Sequence, residues 1–344
     1  MNQIIHLRPG DKNFYLFEDF KPDLSGNEDS NKNLNSSALA LYNSSAHINI
    51  DFLVSCYVLI VNDKVVARAA LYNNPLLTYD GRKAFCVGNY EAETNNSYSN
   101  ELLTYIEGQA RTLGAEYLIG PMNGSTWDAY RFSTHHHYPS FLMEPWHPLY
   151  YNEQFIKAGY GIIGKYFSSI GGVNFGDEHL IAREKELLSQ GVKFRSVTLD
   201  EFDIELDALY DLNEVAFKTN FLYTPIIREA FKHKYKDVQK IIDPQLVIIA
   251  EDRNKNLIGY LFAVRDFWNS IEQSLIVKTA ARHPSKKLHG LGHVMGNILC
   301  ARAHELGYQS LVHAFMYEKG TSVGITGDFA GKVYKNYALY GKQL

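Results

Sequence analysis

The segment Thr279-Ala-Ala-Arg-His-Pro-Ser-Lys-Lys-Leu-His-Gly-Leu-Gly292 runs a β-rich stretch into a Lys/His-rich turn that holds Gly290 and Gly292, just before an amphipathic helix. Two glycines at a helix N-terminus let the backbone approach a ligand closely. The unpaired N–H groups and the helix dipole then favour a phosphate. Lys286, Lys287 and His289 add positive charge around that point. G-x-G alone also serves tight turns, so its place between strand and helix carries the weight. A second segment, Gly120-Pro-Met-Asn-Gly-Ser-Thr-Trp-Asp-Ala-Tyr-Arg-Phe132, is dense in turn formers and hydroxyls. Asn123, Ser125, Thr126 and Arg131 read there either as an acceptor or anion site, or as a capped turn in which Asn123 or Ser125 bonds local backbone. His135-His136-His137 reads as a loop tract and not as a metal site, because adjacent residues point in different directions. Glu144-Pro-Trp-His-Pro148 reads as an irregular loop that could line a cleft. Residue order supports no Ser-His-Asp or Cys-His arrangement, so covalent catalysis is not indicated.

These segments need elements to position them, and the chain supplies the same set twice. Ala110–Ile119 matches Ala303–Val312 at an offset of about 190 residues. Both copies read as a helix end, a glycine stop (Gly114, Gly307) and a buried strand. Upstream, Tyr57–Val61 and Val65–Leu71 read as a hairpin, as do Leu246–Ala250 and Leu257–Val264. A third strand follows each, at Ala84–Tyr90 and Ser274–Arg282. A helix comes next, with Leu102, Leu103, Ile106, Ala110 and Leu113 on one face in the first half. Leu291, Val294, Met295, Ile298, Leu299, Ala303 and Leu306 share a face in the second. The expected division is a first domain at 1–170, a linker at 171–190 and a second domain at 191–344. The polar stretch Asp23–Ser45 is expected as a surface loop. In the first half the loop matching Lys287–Gly292 is Thr94-Asn95-Asn96-Ser97-Tyr98-Ser99, without a glycine pair or a basic residue.

Composition bounds the rest. The 344 residues are 46% hydrophobic and 21% charged, with a net charge of -4, which suits two globular domains and argues against a broad nucleic-acid surface. Cys56, Cys86 and Cys300 lie far apart in apolar stretches. They read as reduced thiols, which points to the cytoplasm and to no zinc. No signal peptide and no membrane span is expected.

Lys287-Leu288-His289-Gly290-Leu291-Gly292 resembles the R/Q-x-x-G-x-G/A signature of the GNAT superfamily of acyl-CoA-dependent N-acyltransferases, with Lys287 where Arg or Gln is usual. The resemblance covers both halves and implies an α/β (α+β) protein of two tandem GNAT-like domains. Each would be a mixed, mostly antiparallel sheet flanked by helices, with Val333–Lys342 as the final strand of the second. It implies acetyl-CoA or another acyl-CoA as co-substrate in the second domain and no metal. Ala280, Ala281 and Arg282 would pair with the pantetheine arm, and Lys287, Leu288, His289, Gly290, Leu291, Gly292 and His293 would surround the pyrophosphate. It further implies Glu272 as base, His313 beside the thioester, and Tyr317 as acid, with Ser322 on the turn after it. The expected reaction is transfer of an acetyl group to a small-molecule or peptide amine, by a monomer or homodimer without nucleic-acid or membrane partners. The alternatives are an aminoacyl-tRNA-dependent transferase of the paired-GNAT type and a non-catalytic acyl-CoA sensor or scaffold.

Overall fold

A computed structural model describes residues 2–23, 47–320 and 331–344, apart from the Lys286 side chain. The loop expected over Asp23–Ser45 lies, beyond Asp23, outside the described residues, and so does Ser322. The chain divides into two compact units. Unit 1 holds Met1–Lys165 together with Lys335–Leu344, and unit 2 holds Tyr166–Tyr334.

In unit 1, β1 (Gln3–Leu7) and the short α1 (Tyr15–Glu18) precede β2 (Leu53–Val61), which turns back into β3 (Lys64–Tyr72). Asn62 and Asp63 make this turn at φ 50° and 62°. Consecutive left-handed residues match the twist of a tight hairpin, and Asn and Asp tolerate them best. Beyond β4 (Thr78–Tyr79), β5 (Arg82–Ala92) pairs antiparallel with β3 and parallel with β6 (Tyr117–Gly120). A parallel pair needs a crossover, and α2 (Asn96–Thr112) provides it. The Asn95 side chain caps α2 by accepting from the Ser97 N–H. Leu102, Leu103, Ile106 and Ala110 of α2 pack into one core with Tyr151 and Phe155 of α3 (Tyr150–Lys157). Leu113, expected on that face, is the C-cap of α2 and is 47% exposed.

Unit 2 takes in the part of β8 (Gly161–Gly172) from Tyr166 onward. The order from there is β8, β13 (Ser310–Tyr317), β12 (Ser274–Arg282), β11 (Leu257–Arg265), β10 (Val247–Glu251) and β9 (Lys193–Ser196). Only β12 and β13 run parallel among these pairs. The crossover between them is α7 (Leu291–Glu305), which buries Leu291, Val294, Met295, Leu299 and Ala303 on the sheet. Gly259 on β11 permits this approach, since a Cβ there would stand 2.8 Å from the Leu291 side chain. α4 (Glu178–Ser189) sets the fully buried Leu187 into the same core. Residues 171–190, expected as a linker, are thus an integral part of unit 2. The described helices are completed by α5 (Phe202–Ala216) and α6 (Arg228–Tyr235), which follow β9.

The last strand, β14 (Lys332–Gln343), departs from expectation. It was expected to end the second domain. Instead Tyr340–Gln343 pair antiparallel with Tyr117–Gly120 of β6, and the short β7 (Phe132–Ser133) pairs with Tyr337–Ala338. Two ion pairs, one of them fully buried, hold it in unit 1. Lys342 Nζ donates to both Glu107 oxygens at 2.8 Å and to the Ala158 carbonyl at 2.7 Å. Lys335 lies 3.3 Å from the Glu144 carboxylate, at 0% and 1% side-chain exposure. Tyr337 Oη also donates to Glu144, at 3.1 Å. Each charge is stranded if the other leaves, so position on the sheet is fixed by more than hydrophobic pattern. Lys335→Met is expected to lower unit 1 stability by about 3–5 kcal/mol in urea unfolding, and Lys335→Met/Glu144→Leu to recover most of that. Equal losses in the single and double variants would show that the ion pair does not fix the strand.

Candidate functional site

The chemistry-bearing region of unit 2 begins where two strands part. β12 and β13 pair from Ser274–Ser310 to Val277–His313, and the pairing ends there. β12 continues to Arg282, still held on its other side by β11. From Thr279 onward the β12 edge that faced β13 pairs with no strand among the described residues. Backbone groups on such an edge require one. Lys278 is itself the extra residue of a bulge, between the β11 pairs Ala263–Val277 and Phe262–Thr279. β13 is irregular at the same level. Phe315 has φ 60°, and its N–H donates to Ser168 Oγ at 3.0 Å.

The free edge leads through His283–Gly290 to the N-terminus of α7. Gly290 is the N-cap at φ 82°, which L side chains rarely adopt. Unlike α2 and α4, which begin at Asn95 and Asp177, α7 has no side-chain cap and no acidic residue in its first turn. Its first amides and the positive end of its dipole are left to a ligand or to water. Arg183 of α4 orients the loop. It donates from Nε to the His289 carbonyl at 3.0 Å and from Nη2 to the Lys287 carbonyl at 2.9 Å. In a trans peptide the next N–H points opposite to the carbonyl. Holding the His289 carbonyl toward α4 therefore turns the Gly290 N–H away from it. Arg183 lay in the segment read as a linker, so sequence reasoning missed it. Lys287 and His289 are exposed beside the loop.

The same place in unit 1 is closed. Three residues, Glu93–Asn95, join β5 to α2, where eight join β12 to α7. After β5 and β6 part, the Met122 N–H donates to the Val87 carbonyl at 2.8 Å, and the Asn89 N–H to Asn123 Oδ1 at 2.8 Å. Side chains of α3 occupy the rest of the edge. Tyr150 Oη donates to the Ala92 carbonyl at 2.8 Å, the Ala92 N–H donates to Tyr151 Oη at 3.3 Å, and Gln154 Nε2 donates to the Glu93 carbonyl at 2.7 Å.

The expected site residues therefore sort by geometry. Ala280, Ala281 and Arg282 lie on the free edge, and Lys287–His293 form the loop and first turn of α7. His313 stands at the last strand pair, partly buried. Burial pushes its imidazole down to about 4, which makes it a weak base at neutral pH. Tyr317 is wedged against Phe221 at 4.9 Å and Tyr166 at 5.2 Å between ring centroids. Burial raises its phenol, so it stays protonated. Glu272 does not fit the role of base. It precedes β12 and accepts from Ser310 Oγ at 2.6 Å, at the end where the strands are joined. Val277 lies five positions further on, roughly 16 Å along a strand. Glu214 of α5 accepts from Tyr223 Oη at 2.7 Å, and no spacing in the sequence flags it.

The Gly120–Phe132 segment is a self-bonded turn in unit 1. Asn123 also donates to the His47 carbonyl at 3.2 Å. Ser125 Oγ donates to Asp128 at 3.0 Å and accepts from the Trp127 N–H. Thr126 is half-buried, and Arg131 is buried over the Tyr130 ring, 4.1 Å from its centroid. With Asn123 and Ser125 spent on their neighbours, these four do not form an acceptor site. His135 stacks on His137 and His136 on Trp146. His147 accepts from the Ser133 N–H at 2.7 Å. Among the described residues no group of three His, Cys, Asp or Glu could hold a metal, and no helix is long and apolar enough to cross a membrane.

A parting parallel pair followed by a glycine turn and an uncapped helix, in a unit built as hairpin, strand, helix, strand, decides the fold. It is that of the GNAT acyltransferases, in tandem. A tandem GNAT protein from the clavulanic acid biosynthesis pathway matches over 100% of this chain and 98% of its own, with a TM-score of 0.52 and 12% identity. A GCN5-related N-acetyltransferase from Anabaena variabilis matches over 99% of this chain and 73% of its own, with a TM-score of 0.54 and 9% identity. The GCN5-related glucosamine N-acetyltransferase region of a fungal β-N-acetylglucosaminidase gives a TM-score of 0.57 at 14% identity. It covers 99% of this chain, which spans only 38% of that protein. No family model and no curated protein matches the sequence.

Two histidines, His313 in unit 2 and His147 in unit 1, make the fold sensitive to acid. Burial lowers His313 to about 4 and His147 to about 3. The unfolded chain binds protons near pH 6.5 that the folded chain takes up only below these values, so stability is full above about pH 6.5 and falls toward pH 4. His313→Asn is expected to flatten the fall in urea-unfolding stability between pH 7 and 5. An unchanged slope would mean that His313 is protonated without cost.

Proposed function

We propose that unit 2 is an acyl-CoA-dependent N-acyltransferase that uses acetyl-CoA or a related thioester to acylate an amine, acting in the cytosol where its three buried, free cysteines remain reduced. The observation that carries the reading is the β12 edge from Thr279 to Arg282, which pairs with no further strand among the described residues and runs on to the N-terminus of α7, where Gly290 provides no side-chain cap. An extended amide-bearing arm can add to that edge as a further strand would, and a diphosphate suits the turned-out amides beside Gly290. The thioester supplies the electrophilic carbonyl. This chain's residues hold the phosphates, line up the arm, and bring the carbonyl to the bulge at Lys278, where a fixed backbone donor favours developing negative charge. Protonated Tyr317, on β13 past the parting, is suited to supply the proton that the departing thiolate needs. Unit 1, with its edge satisfied by its own atoms, acts in this reading without a donor.

The net charge of -4 gives an aminoacyl-tRNA no broad basic surface to follow, and the free edge favours a pantetheine-bearing donor over it.

Gly290→Glu tests the donor site directly. A side chain at φ 82° and a negative charge beside the amides oppose a phosphate at the same point. Calorimetry is expected to show acetyl-CoA binding to the wild type and a loss of about 100-fold or more in the variant, with the thermal unfolding midpoint lowered only slightly. Equal binding by both proteins, or none by either, would remove the basis of the reading.

A further inference from the structure

α5 carries five carboxylates: Asp203, Glu205, Asp207, Asp211 and Glu214. Lys232 meets Asp203 and Asp207, Arg228 meets Asp207 and Asp211, and Arg195 meets Glu205. Glu214, in the last turn, differs. Its Oε1 accepts from the Tyr223 phenol at 2.7 Å, and it pairs with no cation among the described residues. Burial, and after it the Glu214 carboxylate, raises the Tyr223 phenol, so Tyr223 stays a donor. The last turn of α5 holds no basic residue, and the carbonyl end of a helix favours a cation. The neighbours of Glu214 set it beside the strand parting. Asn213 accepts from Tyr260 of β11 at 2.9 Å, and Tyr260 is paired with Ala281 on the β12 edge past the parting. Phe221 stacks on Tyr317 of β13 at an interplanar angle of 4°. The chain before and after Glu214 is thus fixed to the strands on either side of the opening.

A carboxylate without a cation, at a helix C-terminus and beside aromatic rings, suits an ammonium. We propose that the acceptor enters as a primary ammonium and that Glu214 receives it and takes one proton, as the base that Glu272 is not placed to be. This assignment rests on the acyltransferase reading of unit 2. The freed amine attacks the thioester carbonyl and forms the C–N bond. The C–S bond breaks with its electron pair on sulfur, which takes the Tyr317 proton. The proton shed by nitrogen as the amide forms restores Tyr317, and Glu214 releases its own proton to solvent. Tyr223 and Tyr210 are the titratable groups that feel Glu214. The strands beside it carry Tyr260, Tyr317 and Lys278, the last with Nζ 4.5 Å from the Phe315 ring centroid, and Lys218 follows α5.

The test uses the full chain, acetyl-CoA and release of free thiol. The acceptor is 2-phenylethylamine, whose ring suits the aromatic surroundings, with 2-phenylethanol as its uncharged counterpart. Glu214→Gln is expected to lower kcat/KM for the amine about 100-fold at neutral pH, the worth of a positioned base. Acetyl-CoA binding by calorimetry and the thermal unfolding midpoint are expected to stay as in the wild type. Glu214→Asp is expected to keep part of the rate. An alkyl ammonium sheds its own proton at about pH 10, so the deficit of Glu214→Gln is expected to shrink as the pH rises toward that value. A purely structural role would leave the deficit constant. A Glu214→Gln rate within about threefold of the wild type, or a deficit that does not shrink with pH, overturns the inference. A wild type that binds acetyl-CoA but acylates neither compound, or both equally, also overturns it while leaving the donor site standing. A wild type that binds no acetyl-CoA overturns both.

Discussion

The site depends on two parallel strands that cease to pair. β12 and β13 hold each other through Val277 and His313 and then part. A strand edge without a partner inside a protein is costly unless something completes it. In unit 2 the rest of the structure preserves the opening. The bulge at Lys278 and the positive φ of Phe315 bend both strands at one level. Gly290 starts α7 without a side-chain cap, and Arg183 draws two loop carbonyls to α4. Each feature is unfavourable or neutral for folding alone, and together they leave donors pointed at one place.

Unit 1 shows how the same plan is satisfied without a ligand. Its β5 and β6 part in the same way, but the chain beyond β6 and the polar groups of Tyr150, Tyr151 and Gln154 take up the edge. The connection to α2 is too short to form a loop. The two units also share chain ends in an uneven way. Lys335–Leu344 belong to unit 1, where they pair with β6 and β7. The buried Lys335–Glu144 pair makes that placement specific, since hydrophobic pattern alone does not distinguish one sheet edge from another.

Much of this was legible in the sequence because it is local. The internal repeat, both hairpins, the α7 face and the glycine loop follow from period, turn chemistry and spacing, and they sufficed for the fold. What the sequence hid is register and long-range partnership. Val333–Lys342 reads as a strand from its alternation, but nothing in the residues says which sheet it joins. Glu272 lies near β12 in sequence, yet direction along the strand sets it at the joined end, bonded to Ser310. Arg183 was concealed in a charged helix that read as a linker, and its contact with Lys287 and His289 spans more than a hundred positions. Lys278 became visible only when the pairing showed a bulge. Asn123 and Ser125 had an even choice between ligand and local backbone, and the bonds to Asn89 and Asp128 settle it.

The most direct measurement is backbone hydrogen exchange with and without acetyl-CoA, read at both strand partings in the same sample. The account predicts slowed exchange at Thr279–Arg282 and at the amides of Gly290–Gly292 in unit 2, with no change at Glu91–Asn95 in unit 1. Protection at Glu91–Asn95, or none at the α7 N-terminus under saturating acetyl-CoA, would contradict it.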